Sequence, residues 1–231
     1  QVITASGDEY RYDKLVIAMG GQPIVPPLRG LDSGGISTFA TPDDLLAIEE
    51  RLAAGKVVHA VVVGGGMIGI KATDALSKRG VQVTMLELAP RILSAALDET
   101  ASAMMTELFD DHGVQVIVEN TVAEIVAERG EVAAVKLRDG RRLPCDLLVF
   151  GIGVRANSGL AKGAGVEVNR GVVVDEFMRT SLPDVYAVGD VAEAYDLVVD
   201  MNRTVAIWPM LSIDSGRNLP QPLIGSSTII S

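Results

Sequence analysis

One stretch restricts the fold more than any other: VVVGGGMIGIKATDALSKRGVQVTMLE, residues 61–87. An apolar run ends in three glycines. A helical pattern follows, with Ile68, Ala72, Ala75 and Leu76 on one face, and Gly80 closes it. A second apolar run, VQVTMLE, then ends in an acid. Strand, glycine turn, helix and strand in this order specify an α/β unit with a phosphate-binding loop between the first strand and the helix.

Gly64, Gly66 and Gly69 fit G-x-G-x-x-G. In a chain with 24 glycines the pattern alone is weak, and the flanking elements make it specific. Gly64 allows the tight turn, Gly66 lets a pyrophosphate approach the backbone, and Gly69 lets helix and strand pack closely. The helix amino end offers unpaired N–H groups and a partial positive charge to the phosphates. Glu87 lies 23 residues after Gly64, close to the roughly 20 at which an acid accepts hydrogen bonds from the adenosine ribose. A carboxylate there repels a 2′-phosphate and so favours NADH over NADPH. Arg91 pulls the other way, since a guanidinium is able to reach a phosphate. The plain alternative is a glycine turn that binds nothing.

The rest of the chain fits this class. Its 231 residues suffice for one large domain or two modest ones. With 48% hydrophobic residues and only 4% aromatic ones, the core must be built from Val, Ile, Leu, Ala and Met. A net charge of −10 argues against nucleic acid as a partner. No apolar run approaches the roughly 20 residues that span a bilayer, and no stretch of the chain reads as a signal peptide. The single cysteine, Cys145, cannot form an internal disulfide, which fits a cytoplasmic location. The chain begins with Gln1 in what already reads as a strand, so it is expected to be part of a longer protein.

Before the glycine motif, residues 1–14 suggest a hairpin turning at Gly7, and Leu15–Ala18 a buried strand. GGQPIVPPLRGLDSGG reads as a loop or linker. TPDDLLAIEERLAAG reads as a helix capped by Thr41, with Pro42, Asp43 and Asp44 in its first turn and Gly55 closing it. After the motif a helix is expected from about Asp98 to His112, burying Ala101, Met105, Leu108 and Phe109. Short strands follow, one turning at Asp139-Gly140.

Four segments resemble the FAD-dependent pyridine nucleotide–disulfide oxidoreductase superfamily, in the branch of the NADH oxidases, rubredoxin reductases and nitrite reductase flavin domains. YDKLVIAMGGQPIVPPLRG resembles the strand and loop that leave the FAD domain, and VVVGGGMIGIKATDALSKRGVQVTMLELAPRIL the NAD fingerprint. CDLLVFGIGVRAN resembles the return strand whose glycines pass beside the nicotinamide, and GVVVDEFMRTSLPDVYAVGDVAE the second FAD motif. The resemblance covers roughly residues 1–210 and implies a Rossmann-type NAD domain inserted between segments of an FAD domain. Residues 1–45 would end the first FAD segment, 46–155 form the NAD domain, and 156–231 the second FAD segment, with a divergent tail from about 211. The implied NAD set is Gly64, Gly65, Gly66, Met67, Ile68, Gly69, Glu87, Arg91, Gly151, Ile152 and Gly153. The implied FAD set is Ala18, Met19, Gly20, Gly189 and Asp190, with Asp190 on the ribityl chain. The first FAD loop, any reactive-cysteine region and a carboxy-terminal interface domain, the expected seat of any homodimer, would lie outside the chain, which alone is expected to be inactive.

The implied function is hydride transfer from NADH to FAD and on to an acceptor: oxygen, a disulfide, rubredoxin or ferredoxin, or a nitrite-reducing partner. The rivals are a non-catalytic NAD(H)-binding or regulatory module and a flavin electron-transfer subunit of a larger complex. The chain departs from the pattern in three places. Met19 replaces a Thr, Met67 a gating aromatic residue, and Lys71 a Glu. Lys71 is either a solvated lysine paired with Asp74 or a cation lining the hydride-transfer pocket. After Trp208 the resemblance decays; Gly216 still matches, but Pro220 and Pro222 break the continuing helix. Cys145 reads as structural, His59 and His112 are isolated, no spacing suggests a metal, and no G-x-S-x-G elbow is present.

Overall fold

A computed structural model describes residues 1–195 and the backbone of residue 196 and of the strands at 201–204 and 227–230. The readings at Trp208, Gly216, Pro220 and Pro222 lie outside the described residues. The chain is α/β and divides into two units. One is the continuous stretch Pro23–Gly153; the other gathers Gln1–Gln22 with the chain from Val154 onward.

The continuous unit is built on a five-stranded parallel sheet in the order Ile36–Thr38, Leu147–Phe150, His59–Val63, Gln82–Leu86, Gln115–Ile117. Its central strands are apolar on both faces because both faces are covered. Ala60, Val62, Val83, Leu147 and Val149 pack with Ile48, Ala72 and Leu76 of the helices Pro42–Ala53 and Met67–Ser77. On the opposite face Val61, Val63, Leu86, Leu148 and Phe150 meet Ile125, Val132, Val135 and Leu137. These belong to a three-stranded antiparallel sheet of Val122–Glu128, Glu131–Leu137 and Arg142–Pro144. Side chains alternate across a strand, so each residue of VVV and LLVF is assigned to one core or the other.

The start of this unit differs from the sequence expectation. The expected boundary at residue 45 falls inside it, since Ile36–Thr38 pairs in register with Leu147–Phe150, with Ile36 opposite Leu148. The edge strand of the sheet therefore begins just past the stretch read as a linker, within residues expected to close the first FAD segment. At the far end the unit closes at Gly153, two residues before the expected 155. Its two ends are tied, because the Ile24 N–H donates to the Gly153 carbonyl at 3.0 Å.

Local chemistry sets the helix ends. Thr41 and Asp44 form a reciprocal capping box at the start of Pro42–Ala53. Asp98 caps Glu99–Asp111 by accepting from the Ala101 N–H at 2.8 Å. The buried stripe of that helix is narrower than its apolar residues suggest. Ser102 is its buried residue and Phe109 packs against the core, whereas Leu108 is 51% exposed. Leu108 lies about 100° around the helix from Phe109, which turns it out of the stripe.

In the other unit, Val2–Ile3 and Glu9–Tyr10 form the hairpin, with Gly7 at φ +89° in its turn. Lys14–Ile17 pairs in parallel with Val185–Ala187 and with Ser227–Ile230. A second sheet joins Val172–Val173, Ala192–Asp196 and Met201–Thr204. Leu15, Ile17, Val172, Val185, Ala187 and Val191 form the core. Glu193 is only 2% exposed. Its carboxylate accepts from the Asn169 side chain at 2.9 Å and from the Arg170 and Gly171 N–H groups at 2.7 and 3.0 Å, so the buried charge is fully engaged in holding that turn.

Candidate functional site

The strand His59–Val63 delivers Gly64, Gly65 and Gly66 to the amino end of Met67–Ser77. Three glycines from two strand ends and the helix meet there. Gly64 sits at φ +112°, and a Cβ on it would lie 2.5 Å from the Gly151 carbonyl oxygen. A Cβ on Gly69 would collide with the Gly64 carbonyl oxygen, and one on Gly151 would come within 2.8 Å of the Gly69 backbone. Backbone cannot yield as a flexible side chain can, so none of the three tolerates a side chain. A Cβ on Gly66, by contrast, would meet nothing within 4 Å. That is the open side of the loop.

The polar groups of the loop are divided just as sharply. The Gly64 N–H donates to the Leu86 carbonyl at 2.7 Å. The Gly65 N–H donates to Glu87 Oε2 at 2.5 Å, and the Gly65 carbonyl accepts from the Leu93 N–H at 2.7 Å. Among the described residues nothing accepts from the N–H groups of Gly66, Met67 and Ile68. They are the free donors of a helix start that carries no capping side chain and no acid in its first turn. They border a cleft of about 620 Å³ whose lining includes Gly66, Met67, Ile68, Glu87, Thr121 and Ile152. Such an N-terminus attracts anions, and the volume suits a small-molecule site.

Of the residues assigned to NAD from sequence, Gly64, Gly66, Met67, Ile68, Glu87, Gly151, Ile152 and Gly153 line this cleft. Gly65 and Gly69 lie in the loop and helix beneath it. Met67 is 60% exposed at the rim. Glu87 is half-buried, and its other oxygen accepts from the Ala89 N–H at 2.7 Å. Arg91 is placed elsewhere. It lines a second groove of about 670 Å³, between the helix Glu99–Asp111 and the edge strand, and its guanidinium turns towards the Ser94 carbonyl at 3.5 Å. Lys71 is exposed and absent from the cleft lining. It does not pair with Asp74: that carboxylate takes Lys78 at 2.9 Å, one full turn further on, which corrects the pairing read from sequence.

Residues assigned to the flavin lie in the other unit. Lys14–Ile17 and Val185–Ala187 are parallel neighbours, with Ile17 opposite Ala187, and the Val188 N–H donates to the Ile17 carbonyl at 3.0 Å. Ala18-Met19-Gly20 and Gly189-Asp190 therefore leave the carboxyl ends of adjacent strands, the position at which α/β sheets bind ligands. Gly20 and Gly189 both have positive φ, at +59° and +75°. Asp190 is half-buried, and its carboxylate has no hydrogen bond among the described residues. Met19 packs against the core of this unit.

The other reactive side chains lie apart. Cys145 is fully buried, and that burial pushes its thiol up to about 12. His59 Nδ1 stands 3.5 Å from Asp146, and His112 Nδ1 bonds the Leu108 carbonyl of its own helix. Among the described residues no group of three His, Cys, Asp or Glu is placed to hold a metal, and no helix is long and apolar enough to cross a membrane.

Sequence reasoning missed Leu93, Ser102 and Glu193. Leu93 adopts φ +52°, a left-handed conformation that leucine rarely takes, and nothing in RILSAAL announces it. A serine in mid-helix and a glutamate in a strand carry no pattern of their own.

The sequence profile of the pyridine nucleotide-disulphide oxidoreductases matches residues 1–207. The chain belongs to that family. Across 193 residues it is 36% identical to a nitric oxide reductase FlRd-NAD(+) reductase of Vibrio vulnificus, covering 84% of this chain and 50% of that protein. Across 205 residues it is 34% identical to a nitrite reductase [NAD(P)H] of Bacillus subtilis, covering 87% of this chain and 25% of that one. Among solved structures, the covalent putidaredoxin reductase–putidaredoxin complex superposes with a TM-score of 0.83 at 32% identity, covering 90% of this chain and 51% of the other. This member of the pyridine nucleotide-disulphide oxidoreductases spans between a quarter and about half of those proteins' length.

Proposed function

We propose that the protein is a flavin-dependent NADH oxidoreductase, in which Pro23–Gly153 is the NADH-binding domain and the other unit belongs to the FAD-binding domain. One observation carries the reading. Three free backbone N–H groups at Gly66, Met67 and Ile68 face a cleft that also holds the Glu87 carboxylate, over a loop whose glycines admit no side chain. A dinucleotide presents the matching groups, a pyrophosphate and a ribose diol.

Each residue has a task in this reading. The N–H groups of Gly66, Met67 and Ile68 bind the pyrophosphate. Glu87, with each oxygen already taking one backbone N–H, uses its remaining lone pairs for the ribose hydroxyls. Its charge disfavours a 2′-phosphate, and Arg91 stands in the other groove, so the preference is for NADH. Met67 and Ile152 offer apolar cover to the nicotinamide end and exclude water there, while Gly153, where a Cβ would meet nothing within 4 Å, leaves room for the ring.

The residues present fit a flavin as well. Gly20 and Gly189 allow close approach at two adjacent strand ends, and Asp190 has an acceptor to spare for the ribityl chain. When bound, the flavin supplies the two-electron chemistry. This chain contributes binding and orientation, and no side chain in it is assigned as a proton donor or acceptor. The relatives' names mention nitrite, nitric oxide reductase and putidaredoxin. We take the acceptor to be of that range: a small oxidant, a disulfide, or a small redox protein. Lys71, exposed and without an ion pair among the described residues, is proposed to favour reduced flavin and an anionic acceptor. A cytoplasmic location fits the use of NADH.

The test is a visible spectrum of the full-length protein, followed by anaerobic addition of NADH. A yellow protein that bleaches on addition is the expected result. A colourless protein that takes up no FAD but still binds NADH would replace this reading with that of a non-catalytic dinucleotide-binding module.

A further inference from the structure

We infer that Ser102 is a positioning residue for the glycine loop, acting through the Ile92–Leu93 backbone; the inference rests on the reading of that loop as the NADH site. Ser102 lies in the helix Glu99–Asp111, remote from the loop in sequence, and is 1% exposed. Its hydroxyl does not bond back along its own helix, as serines in helices often do. It donates to the Ile92 carbonyl at 2.7 Å.

Ile92 is fully buried and lies against the loop: a Cβ on Gly65 would come 2.8 Å from Ile92 Cγ2. The next residue, Leu93, is left-handed at φ +52°. In that conformation its N–H reaches the Gly65 carbonyl at 2.7 Å, while its own carbonyl accepts from the Ala96 and Leu97 N–H groups at 2.8 and 2.9 Å. Such a backbone conformation is held only where the surroundings over-determine it. Here the Ser102 bond fixes the peptide immediately before it. On its other side Gly65 is held by Glu87. Both backbone polar groups of Gly65 are thus engaged without a ligand, and the next three N–H groups are left aimed outward. A loop ordered in advance binds more tightly, because the ligand does not pay for its ordering.

The experiment compares wild type with Ser102→Ala, Ser102→Cys and Ser102→Thr. Two quantities are read: amide hydrogen exchange in the ligand-free protein, and the Kd for NADH. The amides of Gln82–Leu86 serve as the internal reference for general loosening. In Ser102→Ala the Gly65 and Leu93 amides should exchange about tenfold faster, and NADH should bind about tenfold more weakly, the scale of one lost hydrogen bond; the reference amides stay unmoved. Ser102→Thr, which keeps a hydroxyl, should recover both. Ser102→Cys, with a weaker donor of similar size, should fall between and serves if the alanine variant does not fold. Unchanged Gly65 and Leu93 exchange in Ser102→Ala, or equal acceleration of the reference amides, overturns the inference. Accelerated loop exchange in a protein whose wild type binds no NADH supports the clamp and overturns the function proposed for the cleft.

Discussion

Glu87 and Gly65 are joined by a 2.5 Å hydrogen bond from backbone N–H to carboxylate, so the acid that ends the second strand also props the loop that ends the first. Its removal should act twice. Glu87→Ala should weaken NADH by about 10- to 100-fold, as expected for a lost bond to a charged acceptor. It should also narrow the preference for NADH over NADPH, since the charge facing a 2′-phosphate is gone. Paired titrations with the two nucleotides check this; an unchanged ratio of affinities would remove Glu87 from the specificity argument.

Gly66→Ala and Gly69→Ala separate binding from folding. A methyl group on Gly69 collides with the Gly64 carbonyl, and neither backbone can move without displacing helix or strand. That substitution should cost at least about 2–3 kcal/mol of stability. A methyl group on Gly66 meets only open space, at φ −83°, which any residue adopts. Gly66→Ala should therefore leave thermal stability within about 0.5 kcal/mol of wild type and weaken NADH by about tenfold or more, by obstructing the pyrophosphate. Thermal melts alongside binding curves decide it, and equal destabilisation of the two variants would contradict the glycine packing described above.

Cys145 should be inert in the folded protein. Burial raises its thiol to about 12 from an ordinary value of 9.0, so no thiolate is available at neutral pH. Iodoacetamide at pH 8 should label the protein only after denaturation. The linkage has a definite sign: the folded thiol holds its proton more tightly than the unfolded one, so stability is intact below about pH 9 and falls as pH rises towards 12. Cys145→Ala should flatten that part of the stability profile. Rapid labelling of the native protein would show that the site opens.

Lys71→Glu tests electrostatics apart from structure. Lys71 is exposed and has no ion pair among the described residues, so its replacement should change stability by no more than about 0.5 kcal/mol. In the full-length protein it should lower the flavin reduction potential and slow reduction by NADH. If potential and rate stay the same, Lys71 is a solvated side chain and nothing more.

Legibility in the sequence followed the range of each signal. The glycine loop, the capping box at Thr41 and the twice-covered strands were readable because each rests on near neighbours or on alternation along one strand. The edge strand Ile36–Thr38 was not. Three residues amid glycines and prolines have no period, and only Leu147–Phe150, far along the chain, makes them a strand. Arg91 sits at the right distance in sequence to face the cleft, but its guanidinium turns towards the Ser94 carbonyl in the other groove, past a left-handed leucine that leaves no mark in composition. Asp74 had two lysines within reach, at i−3 and i+4, and took the one with the better helical geometry. Ser102 and Glu193 became visible only through partners ten and more than twenty residues away.

The 3.0 Å hydrogen bond between Ile24 and Gly153 closes the continuous unit where the chain enters and leaves it. For the polypeptide on either side, the whole intervening stretch is then no longer than a tight turn. Once the unit has folded, the two outer segments meet as near neighbours, and the entropy of closing so long a loop has already been paid locally. Assembly can thus proceed from the inside outward, the closed unit leaving the outer segments as near neighbours along the chain and not as the ends of a long loop.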